Sequence, residues 1–80
     1  MNKKKRDKNE QEFDMWVEER NGNRIYSFEI GGRFGWKARY FKEVDKEEVT
    51  LRFWQEIYDE KNVLREIHEK YPDDKGHKKI

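Results

Sequence analysis

The first regular pattern along the chain is an alternation of apolar and polar residues on both sides of Asn21-Gly22. Phe13, Met15 and Val17 occupy every second position before this dipeptide, and the stretch YSFEI repeats the alternation after it. A period of two is typical of a β-strand, and Asn-Gly favours a hairpin turn of two residues. The sequence therefore predicts a β-hairpin, whose register pairs Val17 with Tyr26, Met15 with Phe28 and Phe13 with Ile30.

A third strand is predicted in WKARYF, after a turn at GGRFG. Its alternation places Trp36, Ala38 and Tyr40 on one face and Lys37, Arg39 and Phe41 on the other. The spacing of Gly32 and Gly35 also matches a Gly-x-x-Gly loop that clamps the RNA backbone in one RNA-binding module. That loop joins helices, whereas this segment joins strands, so we favour a plain turn.

The segment 45–71 fits a helix as one interpretation. Asp45 and Glu48 would form a capping box, and the apolar residues would then lie on one face. Those residues are Val49, Phe53, Ile57, Leu64, Ile67 and Tyr71.

A β-hairpin over residues 49–71 is the interpretation we prefer. VTLRFWQEIY alternates and is rich in β-formers, and DEKN supplies a turn whose last residue, Asn62, tolerates a left-handed conformation. With Tyr58 opposite Val63, one register gives three complementary cross-strand pairs. They are Glu56 with Arg65, Trp54 with Ile67 and Arg52 with Glu69.

The predicted fold is mainly β, a small antiparallel meander of five strands. Without a helix to cover its apolar face, such a sheet must curl into a barrel or pair with a second copy. The alternative is an α+β fold with a three-stranded sheet and a C-terminal helix. The expected core consists of Phe13, Met15, Val17, Tyr26, Phe28, Ile30, Val49, Leu51, Phe53, Ile57 and Leu64.

Composition limits the chain to one small core. Only 32% of the 80 residues are hydrophobic, so burial depends on three Trp, four Tyr and five Phe. The absence of cysteine excludes disulfides and thiolate metal sites. No apolar run is long enough to span a membrane, which predicts a cytoplasmic protein with no membrane partner. Abundant Lys and Glu without Cys resemble the composition of heat-adapted proteins and suggest a thermophile.

Charge is nearly balanced over the whole chain, with 19 basic and 18 acidic residues. Total charge therefore does not indicate a nucleic-acid binder, although local charge still could. Residues 1–11 form a basic arm that we expect to be disordered, serving as a solubilising terminus or as a phosphate contact. Residues 12–72 would form the single domain, and residues 73–80 a flexible charged tail.

One face of the predicted sheet interleaves aromatic and cationic side chains, an arrangement that can stack bases and contact phosphates. We therefore predict a small binding module that acts on RNA or another nucleic acid. The alternative is a protein-interaction module, either a homodimer or an inhibitor of another protein, without catalysis. The candidate contact residues are Trp16, Lys37, Arg39, Phe41, Arg52, Trp54 and Arg65, with Ile67 beside them.

Both histidines lie near the C-terminus. In the predicted register His68 sits on the core side near the sheet edge, where packing is the more common role. His77 lies beyond Pro72 and should be exposed. Either could serve as a general base in RNA cleavage, which would make the protein a ribonuclease. No spacing of ligands indicates a metal, and no motif indicates a cofactor.

The predicted strand hairpin is followed by HEKYPDDKGHKK, with a His, a Pro and a late His-Lys in that order. In this order of features residues 49–80 resemble the small TumE-type toxins of bacterial and archaeal toxin–antitoxin pairs. The resemblance implies an RNA target and an antitoxin as protein partner. The tail of that family is usually richer in histidine, and Asp73 and Asp74 stand where further histidines would be expected.

Overall fold

The computed structural model describes all 80 residues and shows one antiparallel sheet with one helix. Helix α1 spans Lys3–Glu12. The six strands are β1 (Met15–Glu18), β2 (Arg24–Gly31), β3 (Lys37–Val44), β4 (Thr50–Tyr58), β5 (Leu64–Tyr71) and β6 (His77–Lys79). Each strand pairs with the next along the chain, so the sheet is an open meander and does not close into a barrel. The mainly-β prediction is confirmed, with a sixth strand and a helix added.

The C-terminal half forms the β-hairpin and not the helix. β4 and β5 are antiparallel, and Asn62 adopts the expected left-handed conformation with φ of 64°. In the middle of the hairpin the register differs from the prediction by two residues, so Trp54 faces Glu69 instead of Ile67. The turn has three residues between its hydrogen-bonded ends, and β5 carries bulges. A shift of two leaves each side chain on its expected face.

The first hairpin differs from the prediction by one residue, because its turn is also longer than two residues. The Glu19 amide donates to the Asn23 carbonyl at 2.8 Å, and Gly22 supplies the left-handed position with φ of 88°. Trp16 therefore faces Tyr26, and Val17 faces Ile25. A shift of one moves every β1 side chain to the opposite face of the sheet. The predicted pairs of Val17 with Tyr26 and Met15 with Phe28 are wrong.

Helix α1 occupies most of the segment predicted to be disordered. The Asn2 side chain accepts a hydrogen bond from the Lys5 amide at 3.1 Å and caps the helix. The helix contains no apolar residue, and its buried side chain is the amide of Asn9. Polar contacts with the sheet hold the helix in place, so the prediction of a disordered arm is wrong for residues 3–11.

Part of the predicted flexible tail also joins the sheet. β6 pairs with β5, where His77 faces His68, and the Ile80 amide donates to the Arg65 carbonyl at 2.8 Å. The tail is therefore an edge strand over His77–Lys79. The helix is too short and too polar to cross a lipid bilayer.

The hydrophobic core is small and lies between α1 and the sheet. Phe13, Tyr26 and Val44 are its buried members, with Phe28 and Phe53 packed against them. Met15 and Val17, expected in the core, are largely exposed because the register of β1 turns them to the uncovered face of the sheet. Ile30, Val49 and Leu51 were also expected in the core and are largely exposed.

Candidate binding groove and the two faces of the sheet

The two faces of the sheet differ in what covers them. We call the side on which α1 packs the helix face and the other side the open face. Side chains alternate between the two along each strand, and paired residues share a face. The helix face carries Trp16, Arg24, Tyr26, Phe28, Tyr40, Lys42, Phe53, Gln55 and His68; the open face carries Met15, Val17, Ile25, Glu29, Lys37, Arg39, Phe41, Glu43, Arg52, Trp54, Glu56, Ile67 and Glu69.

An open groove of about 790 Å³ lies on the helix face beside the C-terminal end of α1, and we call it the aromatic groove. Phe13, Phe28 and Phe53 form its apolar floor. Two lysines, Lys42 and Lys70, stand at its sides. The remaining lining residues are Glu12, Val49, Thr50 and Tyr71.

The two groove lysines lie over aromatic rings. The Lys42 ammonium is 5.9 Å from the centroid of the Phe13 ring and donates to the Asn9 side-chain oxygen at 2.8 Å. The Lys70 ammonium is 5.2 Å from the centroid of Tyr40. Contact with ring faces holds each cation near the floor without a carboxylate partner. Both ammonium groups therefore lie beside the apolar floor of the groove without an ion pair.

A second depression of about 250 Å³ continues the groove along α1. It shares Lys42 and Glu12 with the groove and adds Lys5 and Lys8 from the helix. Lys8 is 3.9 Å from Glu12, so the one carboxylate of the groove lining is partly neutralised. Four lysines thus lie along one continuous depression.

A buried carboxylate fixes α1 above the sheet. Glu48 is 3% exposed and accepts hydrogen bonds from Tyr26, from Asn9 at 3.3 Å and from Arg6 at 3.1 Å. Burial acts to raise the pKa of Glu48, but the hydrogen bonds from Tyr26, Asn9 and Arg6 together outweigh it and lower that pKa. The contact positions the helix, and with it Lys5 and Lys8.

Tyr26 and Arg24 belong to the same polar network. Burial, reinforced by the hydrogen bond to the Glu48 carboxylate, raises the pKa of Tyr26 to about 12, so its hydroxyl stays protonated and donates. Arg24 is 6% exposed and donates to both Glu10 and Glu18 at 2.7 Å. These contacts tie α1 and β1 to β2.

The open face carries a stack of two rings between two guanidinium groups. The rings of Phe41 and Trp54 lie 5.1 Å apart at 11°. Arg39 covers the Phe41 ring at 5.2 Å, and Arg52 covers Trp54 at 4.4 Å. Both outer faces of the ring pair are therefore occupied already.

The cations of the open face are paired with acids. Arg52 contacts Glu69 at 2.8 Å, and Arg39 and Lys37 each lie 3.8 Å from Glu29. The hydrogen bond from Arg52 and burial act in opposite directions on Glu69, and the hydrogen bond prevails, so the pKa of Glu69 is lowered. This face has no excess of positive charge.

The structure brings together most, but not all, of the contact residues predicted from the sequence. Lys37, Arg39, Phe41, Arg52 and Trp54 share the open face with Ile67. Trp16 lies on the helix face, 6.0 Å from the Tyr26 ring and under Arg24. Arg65 lies beside the β4–β5 turn, 3.6 Å from Asp59.

The two histidines are neighbours on the helix face, with ring centroids 4.4 Å apart. His68 Nε2 contacts Asp74, which lowers the pKa of that carboxyl, and His68 Nδ1 is buried without a partner. His77 is more accessible, with its Nδ1 3.4 Å from Glu66. The pair thus lies on the side of the sheet opposite most of the predicted contact residues, although Trp16 shares its face. No group of three or more potential metal ligands is present.

Sequence reasoning missed the lysines of the groove. Lys42 and Lys70 interrupt the apolar face of β3 and β5, next to Tyr40 and Phe53. A cation at a position that should face the core was the available signal. Lys5 and Lys8 gave no such signal, because only the tertiary position of α1 brings them to the groove.

Comparison with protein-family models, with curated proteins and with solved structures found no match to this chain.

Proposed function

We propose that the protein binds single-stranded RNA in the aromatic groove. The observation that carries this proposal is the placement of Lys42 and Lys70 beside a floor of phenylalanine rings. Flat bases can stack on rings in a sequence-tolerant way, while ammonium groups contact the phosphates between them. The groove offers both kinds of contact in one place.

The shape of the groove supports a polymer as ligand. The depression is open along its length and continues past Lys42 toward Lys5 and Lys8. A small molecule would be only partly enclosed there, whereas pockets for such ligands usually bury most of the ligand. A strand can instead add small contributions from each nucleotide and phosphate.

The open face is the weaker candidate for the same ligand, although it contains most of the predicted contact residues. Arg39 and Arg52 already face carboxylates, and Phe41 and Trp54 cover each other. A phosphate there would have to displace an existing acid, and a base would have to displace a guanidinium group. In the groove neither Lys42 nor Lys70 makes an ion pair, so a phosphate there would displace no carboxylate.

A role as a toxin, which the resemblance implies, is compatible with this site. An antitoxin segment rich in acidic residues would compete with RNA for Lys42 and Lys70. Cleavage of the bound RNA would depend on His77, because both ring nitrogens of His68 are engaged or buried. The histidine pair is near the groove, since His68 and Lys70 lie two residues apart on one face of β5.

Fluorescence anisotropy with a labelled oligouridine tests the proposal. If all four lysines contact phosphates, log Kd should rise with log salt with a slope of about 3. Replacing Lys42 and Lys70 together by Gln should weaken binding at least tenfold and reduce that slope. The matched control replaces Lys37 and Arg39 on the open face by Gln, and should bind normally.

Two results would contradict the proposal: no binding by the unchanged protein at low salt, or equal losses in the groove and control variants. Far-UV circular dichroism confirms that both variants are folded. The same reactions on a denaturing gel report cleavage, and His77→Ala identifies whether His77 is required for it.

A further inference from the structure

The molecule exposes more surface than a folded monomer of its size normally does. Its accessible surface is 5840 Å², about 600 Å² more than the roughly 5,200 Å² expected for 10.0 kDa. Its radius of gyration is 13.6 Å, against about 12 Å expected for 80 residues. A sheet that one short helix covers on only one side accounts for both values.

Part of the exposed apolar surface lies on the open face. Met15 and Val17 on β1 are 58% and 63% exposed. Toward the centre, Ile25, Phe41 and Trp54 are only half-buried although they stand in the inner strands of the sheet. Exposed and half-buried apolar groups that are spread over several strands of one face are typical of an interaction surface.

We propose that a second copy of this chain covers the open face, face to face, and forms a homodimer. A dimer of this kind would complete the core that the six strands leave half uncovered.

Charge favours a second copy on this face and not on the helix face. The open face interleaves Lys37, Arg39 and Arg52 with four glutamates, which are Glu29, Glu43, Glu56 and Glu69. A surface with both signs can meet its own copy with opposite charges adjacent. The aromatic groove carries mainly lysines, so two grooves would repel each other.

Pairing at the sheet edges is a less favourable way to dimerise. The edge strands β1 and β6 have four and three residues, so a new ladder would contain few hydrogen bonds. Face-to-face packing buries apolar side chains as well, and it leaves the two aromatic grooves on the outer sides of the dimer. The inference is therefore independent of the proposed RNA binding.

Sedimentation equilibrium of the full chain tests the homodimer at concentrations up to roughly 200 µM, at which even a weak association is detected. The expected mass approaches twice 10.0 kDa. Val17→Lys places a charge at an exposed site of the open face and should raise the dissociation constant at least tenfold. Ile30→Lys is the control, because Ile30 is 52% exposed on the helix face.

Three outcomes overturn the inference. They are a monomer mass at every concentration, a Val17→Lys protein that dimerises normally, and an equal loss of dimer in the Ile30→Lys protein. Far-UV circular dichroism and a urea transition establish that both variants fold. RNA binding is measured separately, so its failure leaves the oligomeric result intact.

Discussion

The β3–β4 turn and the β4–β5 turn have the same backbone design. In each, the amide of the first aspartate, Asp45 or Asp59, donates to the carbonyl of a valine four residues later at 3.0 Å. The carboxylate of that aspartate accepts two amide hydrogen bonds. Each turn also holds one residue at positive φ, Glu48 at 65° and Asn62 at 64°.

The two positive-φ residues differ in what they contact. Asn62 is exposed, and asparagine tolerates the left-handed region better than most residues. Glu48 has no such preference, yet it is 3% exposed and binds Arg6, Asn9 and Tyr26. The local conformation explains Asn62, whereas tertiary contacts explain Glu48. The β4–β5 turn therefore stabilises only its own hairpin, whereas the β3–β4 turn also fixes α1 to the sheet.

The largest expected effect comes from removing the Glu48 carboxylate. We expect Glu48→Ala to lower the free energy of unfolding by about 3–5 kcal/mol, because Arg6 and Tyr26 then lose their partner in a buried site. Asn62→Ala should cost only about 1 kcal/mol, the strain of alanine at positive φ. Urea denaturation measures the free energy of unfolding of both variants. Equal decreases in the two variants would contradict the prediction that only the β3–β4 turn also stabilises the packing of α1.

An intermediate effect should appear in acid. The pKa of Glu48 is below its ordinary value of 4.5, so the unfolded chain takes up this proton first. Its contribution to stability is therefore complete above about pH 4.5 and is lost as the pH falls through the lower folded pKa. The urea midpoint should decrease more steeply in acid for the unchanged protein than for Glu48→Gln. Parallel curves would contradict this.

The smallest effect is expected for glycine at the same two positions. Asn62→Gly should change the free energy of unfolding by less than about 0.5 kcal/mol, because relief of strain is offset by greater freedom of the unfolded chain. Glu48→Gly relieves the same strain but removes the hydrogen bonds to α1, so it should be clearly destabilising. Thermal melts of the pair give the comparison, and a stabilised Glu48→Gly protein would refute it.

The open face and the groove differ in how far the sequence predicted them. Alternation within β3 and β4 placed Arg39, Phe41, Arg52 and Trp54 on one face, because successive side chains of a strand point to opposite faces of the sheet. The groove depends on which strands are neighbours and on where α1 packs. Lys42 and Lys70 are 28 positions apart along the chain. No local pattern relates them.

By itself the sequence determined five of the six strands, the order of the hairpins and the left-handed Asn62, since these follow from a period of two and from local turn chemistry. Tertiary structure decided the register of β1, because a turn of three residues replaced one of two and moved Trp16 to the other face. It also decided α1. A segment without apolar residues has no pattern that predicts packing, and it forms an ordered helix here because Glu48, buried in a distant turn, binds Arg6 and Asn9.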